Sequence, residues 1–159
     1  MSLVERISHP DQAKVWYGNI PIESRYTLGL AGERFFRALK DKGVIMGAVC
    51  PQCELTYLPP AIYCERCFSP LEEWVEVGKQ GWVHTFTILN VDPDGSPLEE
   101  PEILALIKME GVHGGLVHRL GEVEPQEVDF GLPVEAVLKP KKEREGSILD
   151  IKYFRPLKG

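Results

Sequence analysis

No apolar run in the 159 residues approaches the ~20 needed to cross a bilayer, so no membrane span is expected. The opening Met-Ser-Leu-Val-Glu-Arg-Ile has no apolar stretch followed by a small-residue cleavage site, which predicts no secretory leader and a cytoplasmic location. Also missing are a Gly-x-Ser-x-Gly elbow, a phosphate-binding Gly-rich loop ending in Lys-Ser/Thr, and a His-Glu-x-x-His helix. Histidine is sparse, at His9, His84, His113 and His118. His84 and His118 fall on predicted strands, where an imidazole is more often structural than an acid or base. His84 is expected to share a strand face with Trp82 and Phe86, and His113 sits in a Gly-rich turn that could approach a ligand closely. The paired acids Glu72-Glu73 and Glu99-Glu100 read as solvated faces. Nothing in the chain amounts to a self-sufficient active site.

Cysteine is scarce too, but its four copies fall in one window as two identical pairs, Cys50-Pro51-Gln52-Cys53 and Cys64-Glu65-Arg66-Cys67. A Cys-x-x-Cys turn lets one ion be chelated by both thiolates, and two such turns complete a tetrahedral site. The competing reading, thiol redox chemistry, calls for one pair beside a βαβ unit, whereas here two pairs are flanked by strands. Zinc is the expected ion, and iron fits the same four thiolates in a rubredoxin-like site. With every position filled by protein, the ion folds a ribbon too small to have its own core and is not catalytic. Glu54 and Phe68 follow the two pairs where many zinc knuckles carry glycine.

Basic residues are short throughout most of the chain. Residues 1–138 hold 11 Lys/Arg against 21 Asp/Glu, a balance of -10, whereas residues 139–159 hold 7 against 3, or +4. Only that last segment, with Lys139, Lys141, Lys142, Arg144, Lys152, Arg155 and Lys158, could attract a phosphate-rich ligand. An ordinary solvated face is the alternative reading.

The chain order predicts a mainly β protein in four parts. Residues 1–28 form an arm broken by Pro and Gly yet aromatic, with Trp16, Tyr17 and Tyr26; it either packs on its own globule or docks on another chain. Residues 29–43 carry a short amphipathic helix, in which Ala31, Phe35 and Leu39 recur every four residues beside Phe36 and Gly43 supplies the stop. Residues 44–78 make the four-cysteine ribbon, with strands expected at 44–49, 55–58 and 74–77. Residues 79–159 read as strands at 81–91, 103–109, 116–120, 134–138 and 148–154. Turns at Asp92-Pro93-Asp94-Gly95, Gly111–Gly115, Gly131–Pro133 and 141–147 separate them. Five such strands suit a small closed barrel, the oligonucleotide/oligosaccharide-binding (OB) fold.

Several motifs, in this order, resemble one family. The run Tyr26-Thr27-Leu28-Gly29-Leu30-Ala31-Gly32-Glu33-Arg34-Phe35-Phe36 comes first, then the two Cys pairs with Tyr57-Leu58-Pro59-Pro60 between them, then Trp74 to Gly78. This is similar to the helix and rubredoxin-like zinc ribbon of the DUF35 acyl-CoA-associated proteins. Gly114 to Leu120 and Phe130-Gly131-Leu132-Pro133-Val134 resemble their OB barrel, so the likeness covers roughly residues 25–156. It implies an accessory, non-catalytic subunit of a thiolase- or aldolase-type complex that helps hold a coenzyme A ester. A thiolase-type reaction needs a nucleophilic cysteine and this chain has none to spare, so the chemistry is expected on the partner. On that reading Lys139, Lys141, Lys142 and Arg144 would face the phosphates of acyl-CoA, and Trp16, Tyr17, Tyr26, Phe35 and Phe36 would dock on the thiolase-like enzyme. A module for single-stranded nucleic acid is the alternative, since zinc ribbons and OB barrels both often bind such strands. A body at -10 makes a poor groove for phosphates and argues against it.

Overall fold

The computed structural model of the chain describes residues 9, 11, 27–92 and 94–157. Trp16, Tyr17, Tyr26 and Lys158 lie outside the described residues. Among the described residues one α-helix, α1 (Gly29–Lys42), is followed by nine strands in two sheets. Its apolar stripe buries Phe35 and Leu39 in the main core, each contributing ~1.5–3 kcal/mol of burial. Lys40 and Lys42 lie in its last turn, where the dipole favours cations. Gly43 ends it at φ 70°, giving its N–H to the carbonyls of Ala38 and Leu39.

The ribbon follows. Strands β1 (Met46–Cys50), β2 (Leu55–Leu58) and β3 (Glu73–Glu76) pair antiparallel in the order β3-β1-β2. A fourth strand, β6 (Val112–Gly114), comes from the second half of the chain and lies parallel to β2. The ribbon's small core is Ala48, Tyr57 and Leu71 around Cys50 and Cys64, with Trp74 against it. The Arg34 guanidinium of α1 lies 5.6 Å from the Trp74 ring centroid, a cation–π contact that ties helix to ribbon.

The barrel is built from β4 (Gln80–Val91), β5 (Pro97–Lys108), β7 (Leu116–Arg119), β8 (Pro133–Leu138) and β9 (Ile151–Pro156), in the order β7-β5-β4-β8-β9. A parallel bridge between Leu120 and Phe154, with Gly121 N–H bonded to the Phe154 carbonyl at 2.9 Å, closes it into the expected OB-type barrel. Val83, Ile103, Ala105, Ile107, Val134, Ile151 and Phe154 fill the interior, and Phe35 and Leu39 of α1 join the same core.

Three local readings differ from the sequence. β5 starts at Pro97, not near Ile103: pairing with the end of β4 extends the hairpin over residues 97–102, whose proline- and acid-rich sequence carries no apolar alternation to mark a strand. Residues 148–150 form a 3-10 turn rather than the start of β9. Finally, a bulge between Val83 and Thr85 absorbs His84 and reverses the side-chain parity. Phe86 then pairs with Ala105 and packs on the core, whereas Trp82 pairs with Lys108 on the other face, so Trp82 and Phe86 do not share a face.

Candidate metal centre

Both Cys-x-x-Cys turns are presented by the same local geometry. In the first, Glu54 adopts φ 55° and its N–H bonds the Cys50 carbonyl at 2.9 Å; in the second, Phe68 adopts φ 59° and its N–H bonds the Cys64 carbonyl at 3.0 Å. The residue after each pair is thus left-handed, the conformation in which glycine is easiest, and the turn forms here without it. The Cys53 N–H points at Cys50 Sγ and the Arg66 N–H at Cys64 Sγ, both at 3.4 Å. Each turn therefore aims backbone donors at its own sulfur.

The four sulfurs lie within 4.8 Å of one another, with Cys50–Cys67 at 3.5 Å and Cys53–Cys64 at 3.8 Å. A tetrahedron with Zn–S near 2.3 Å has edges of about 3.8 Å, so the donor set fits one four-coordinate ion. Cys50 and Cys64 are buried and Cys53 and Cys67 partly so. Without a cation the thiols cannot all ionise. Contact with Cys67, then burial, pushes Cys53 up to about 12, while the Tyr57 hydroxyl, against the opposing pull of burial, holds Cys64 down to about 6. A divalent ion would neutralise this crowding of like charge.

Two supporting groups were not singled out by the sequence. Tyr57 Oη lies 3.2 Å from Cys64 Sγ, and Ser69 Oγ lies 3.3 Å from Cys67 Sγ. Tyr57 carries a readable signal, its place inside strand Leu55–Leu58; Ser69 carries none until the chain is folded. The Tyr57 ring also meets His113 edge-on at 5.3 Å between centroids. The Gly-rich turn that carries His113 approaches the ribbon itself: Gly114 sits at φ 102°, where a Cβ would fall 2.1 Å from the Leu58 carbonyl oxygen, and Gly115 N–H bonds that oxygen at 2.7 Å. His118 is buried in the barrel, with Nε2 3.3 Å from the Ile148 carbonyl and no partner for Nδ1; burial pushes its pKa down.

The basic segment is organised around a buried acid. Asp150 accepts N–H bonds from Glu145 at 2.9 Å and Gly146 at 2.8 Å, with Ser147 N at 3.4 Å. Burial works to raise its pKa, but these donors and Lys139 together hold it below the usual carboxylate value. Arg144 is used internally: its Nε donates to the Lys139 carbonyl at 2.8 Å, and its guanidinium lies where a Cβ on Gly43 would be, against the end of α1. Arg155 is held by Glu135 at 2.7 Å, with Glu122 at 3.5 Å. Lys141 and Lys142 remain exposed on a 3-10 turn. Among the aromatic residues expected to dock, Phe35 is 3% exposed and belongs to the core, which removes it from any partner surface; Phe36 is partly buried against the same core.

Comparison with known proteins resolves the family. Residues 37–72 match the family described as "ChsH2, rubredoxin-like zinc ribbon domain", and residues 74–139 match "ChsH2, C-terminal OB-fold domain". A DUF35 domain-containing scaffold protein of Pyrococcus furiosus is 32% identical over 127 residues, 78% of this chain and 91% of that protein. This chain belongs to the DUF35 family. A second DUF35 domain-containing scaffold protein, from Methanocaldococcus jannaschii, is 25% identical over 127 residues, covering 78% and 89% of the two chains. The crystal structure of a DUF35 protein of unknown function from Sulfolobus solfataricus matches this DUF35 chain at 33% identity and a TM-score of 0.60, over 69% of this chain and 78% of that one. The Ltp2-ChsH2(DUF35) aldolase shares the fold at a TM-score of 0.62 and 23% identity, over 83% and 98%. The four-cysteine centre is the metal-binding site of a rubredoxin-like ribbon, and the scaffold relatives agree with an accessory role. Among the described residues no helix is long and apolar enough to cross a membrane.

Proposed function

We propose that this DUF35 chain is a non-catalytic, cytoplasmic subunit that binds a thiolase-fold enzyme and helps hold its acyl-CoA ester, with zinc in the ribbon. The observation that carries the reading is the commitment of all four thiols to one cluster, which leaves no cysteine to take up an acyl group. In the ribbon Cys50, Cys53, Cys64 and Cys67 would hold the ion, which supplies folding free energy and no chemistry. The aldolase relative is named as an assembly of Ltp2 with ChsH2(DUF35), and that precedent favours an enzyme partner here. Lys141 and Lys142 are proposed to meet the CoA phosphates, with Lys139 and Arg144 shaping the loop beneath them. Trp16, Tyr17 and Tyr26 of the arm keep their proposed docking role, without Phe35.

Against the nucleic-acid reading stands the outward face of β4, β5 and β7. There Leu104, Leu106 and the exposed Val117 lie among Thr85 and Thr87, with Trp82 as the one outward aromatic ring on these strands, fewer than strand stacking calls for. Size-exclusion chromatography of the full chain co-expressed with a thiolase-fold enzyme tests the proposal. One complex is expected, with thioester chemistry present only in fractions containing the enzyme. Separate elution, or turnover of acyl-CoA by the isolated chain, would overturn it.

A further inference from the structure

Beyond the metal, the second Cys turn displays something it does not need. Phe68 is 77% exposed, the most exposed of the large apolar side chains described, and it occupies a left-handed position that glycine would hold with less strain. Ile62 and Tyr63, 47% and 57% exposed, belong to the same end of the ribbon, where Leu71 N–H bonds the Ile62 carbonyl and Tyr63 bridges Pro70, two residues after Phe68. Cys64 N–H bonds the Ser69 carbonyl at 2.9 Å, so this apolar knob is fixed by the same turn that presents two metal ligands. Glu54, at the equivalent position of the first turn, is polar and exposed, so the strain alone does not call for an aromatic ring.

The surroundings of the knob are acidic. Residues 50–76 contain Glu54, Glu65, Glu72, Glu73 and Glu76 against Arg66 alone, before the net -2 of a divalent ion with four thiolates is counted. A cleft of about 440 Å³ begins at Ser69, the residue after Phe68, and is lined by Pro51, Gln52, Ser69 and Pro70 with Glu72 and Glu73. A rigid aromatic knob beside an acidic cleft repels anionic membranes and nucleic acids and complements one kind of surface. We propose that the ribbon tip is a protein-docking site: Phe68, with Ile62 and Tyr63, enters an apolar socket on the partner enzyme, and an Arg or Lys at the rim of that socket enters the cleft toward Glu72 and Glu73. The proposal rests on the accessory-subunit reading above and adds to it a docking surface built from other residues than the N-terminal arm.

The test compares three variants of the full chain for binding to a co-expressed thiolase-fold enzyme. Phe68→Gly relieves the left-handed strain, so its melting temperature should equal or exceed that of the parent while affinity falls at least tenfold. Glu54→Gly relieves the same strain at the sister turn and should bind like the parent. Glu72→Lys with Glu73→Lys should bind at least tenfold more weakly and lose the salt dependence of the parent. Parent-like binding by Phe68→Gly would overturn the docking site while leaving the accessory role intact. Should the parent itself bind no thiolase-fold enzyme, that role fails, and a photoreactive p-benzoylphenylalanine at position 68 decides the surface separately. A crosslink to an apolar, Arg- or Lys-bordered peptide of another protein supports the docking site; no crosslink, or one only to a second copy of this chain, overturns it.

Discussion

The hydroxyl of Tyr57 lies 3.2 Å from Cys64 Sγ, while the ring that carries it rests against His113 of the other half of the chain. One side chain thus supports a metal ligand and anchors the ribbon to the barrel. Groups that hydrogen-bond metal ligands typically govern 10–100-fold in metal affinity. Tyr57→Phe keeps the ring and removes the bond, so it should stay folded and bind zinc about tenfold more weakly, as read by competition with a chromophoric chelator. Affinity equal to the parent's would show the bond to be idle.

Metal removal should unfold the ribbon and leave most of the barrel. The ribbon core is only Ala48, Tyr57 and Leu71 around two of the ligands, too little apolar surface to hold without the ion. Freshly purified protein should contain about one equivalent of zinc. Stripping it, or Cys67→Ser, should abolish the near-ultraviolet dichroism of Trp74, which packs on that core, while the far-ultraviolet β signal largely persists.

Gly114→Ala should be among the most damaging single-methyl additions. The new Cβ would stand 2.1 Å from the Leu58 carbonyl oxygen, a backbone atom that cannot swing aside, at a φ of 102°. A loss of about 2–3 kcal/mol is expected in urea unfolding, drawn from overpacking and backbone strain together. Gly95→Ala, at a positive φ but with open space around it, should cost less.

Acid should loosen the 139–150 loop in two stages. His118 has a folded pKa below its ordinary value, so the unfolded state takes up the proton first and stability falls as pH drops through about 6.5. Asp150 is also depressed: its contribution is complete above the ordinary carboxylate range near 4 and is lost as pH falls through the lower folded value. His118→Leu should flatten the first slope. Asp150→Asn should cost about 1–3 kcal/mol at pH 7 by leaving N–H groups of Glu145 and Gly146 poorly paired, and the gap to the parent should close below pH 4. Thermal melts between pH 3 and 8 read both.

Charge reversal at the exposed lysines tests the phosphate reading. Lys141→Glu with Lys142→Glu touches no buried contact and should leave the melting temperature unchanged. Calorimetric titration of the enzyme complex with coenzyme A should show affinity reduced about tenfold at low salt, with the difference shrinking as salt is added. Arg144→Ala should instead lower stability, since its guanidinium lies against the end of α1.

Local chemistry made much of this molecule legible before folding. Cys-x-x-Cys spacing, the four-residue recurrence of Phe35 and Leu39, and apolar alternation between turn residues each encode a feature within a few positions, and the ribbon, helix and barrel appear where those signals lie. What escaped depends on long-range partners. The bulge at His84 leaves no mark in the composition, yet it sends Phe86 inward and keeps Trp82 outward. Phe35 and a surface aromatic read alike until the barrel is there to bury one of them. Arg144 looked like a free cation in the sequence, and its task became visible only against the carbonyl of Lys139 and the glycine that ends α1.

The two family matches meet at residues 72 and 74, as if the chain were two exchangeable cassettes, but β6 places residues 112–114 of the second beside β2 of the first. Shuffling of halves between relatives, by nature or by an engineer, would therefore cut a continuous sheet unless the donor barrel arrives with its own matching turn. Loss of the metal should likewise be felt past the ribbon, at β6 along the β2–β6 seam, so that trace-metal scarcity in the cell would reach the edge of an otherwise intact barrel and any assembly built on that seam.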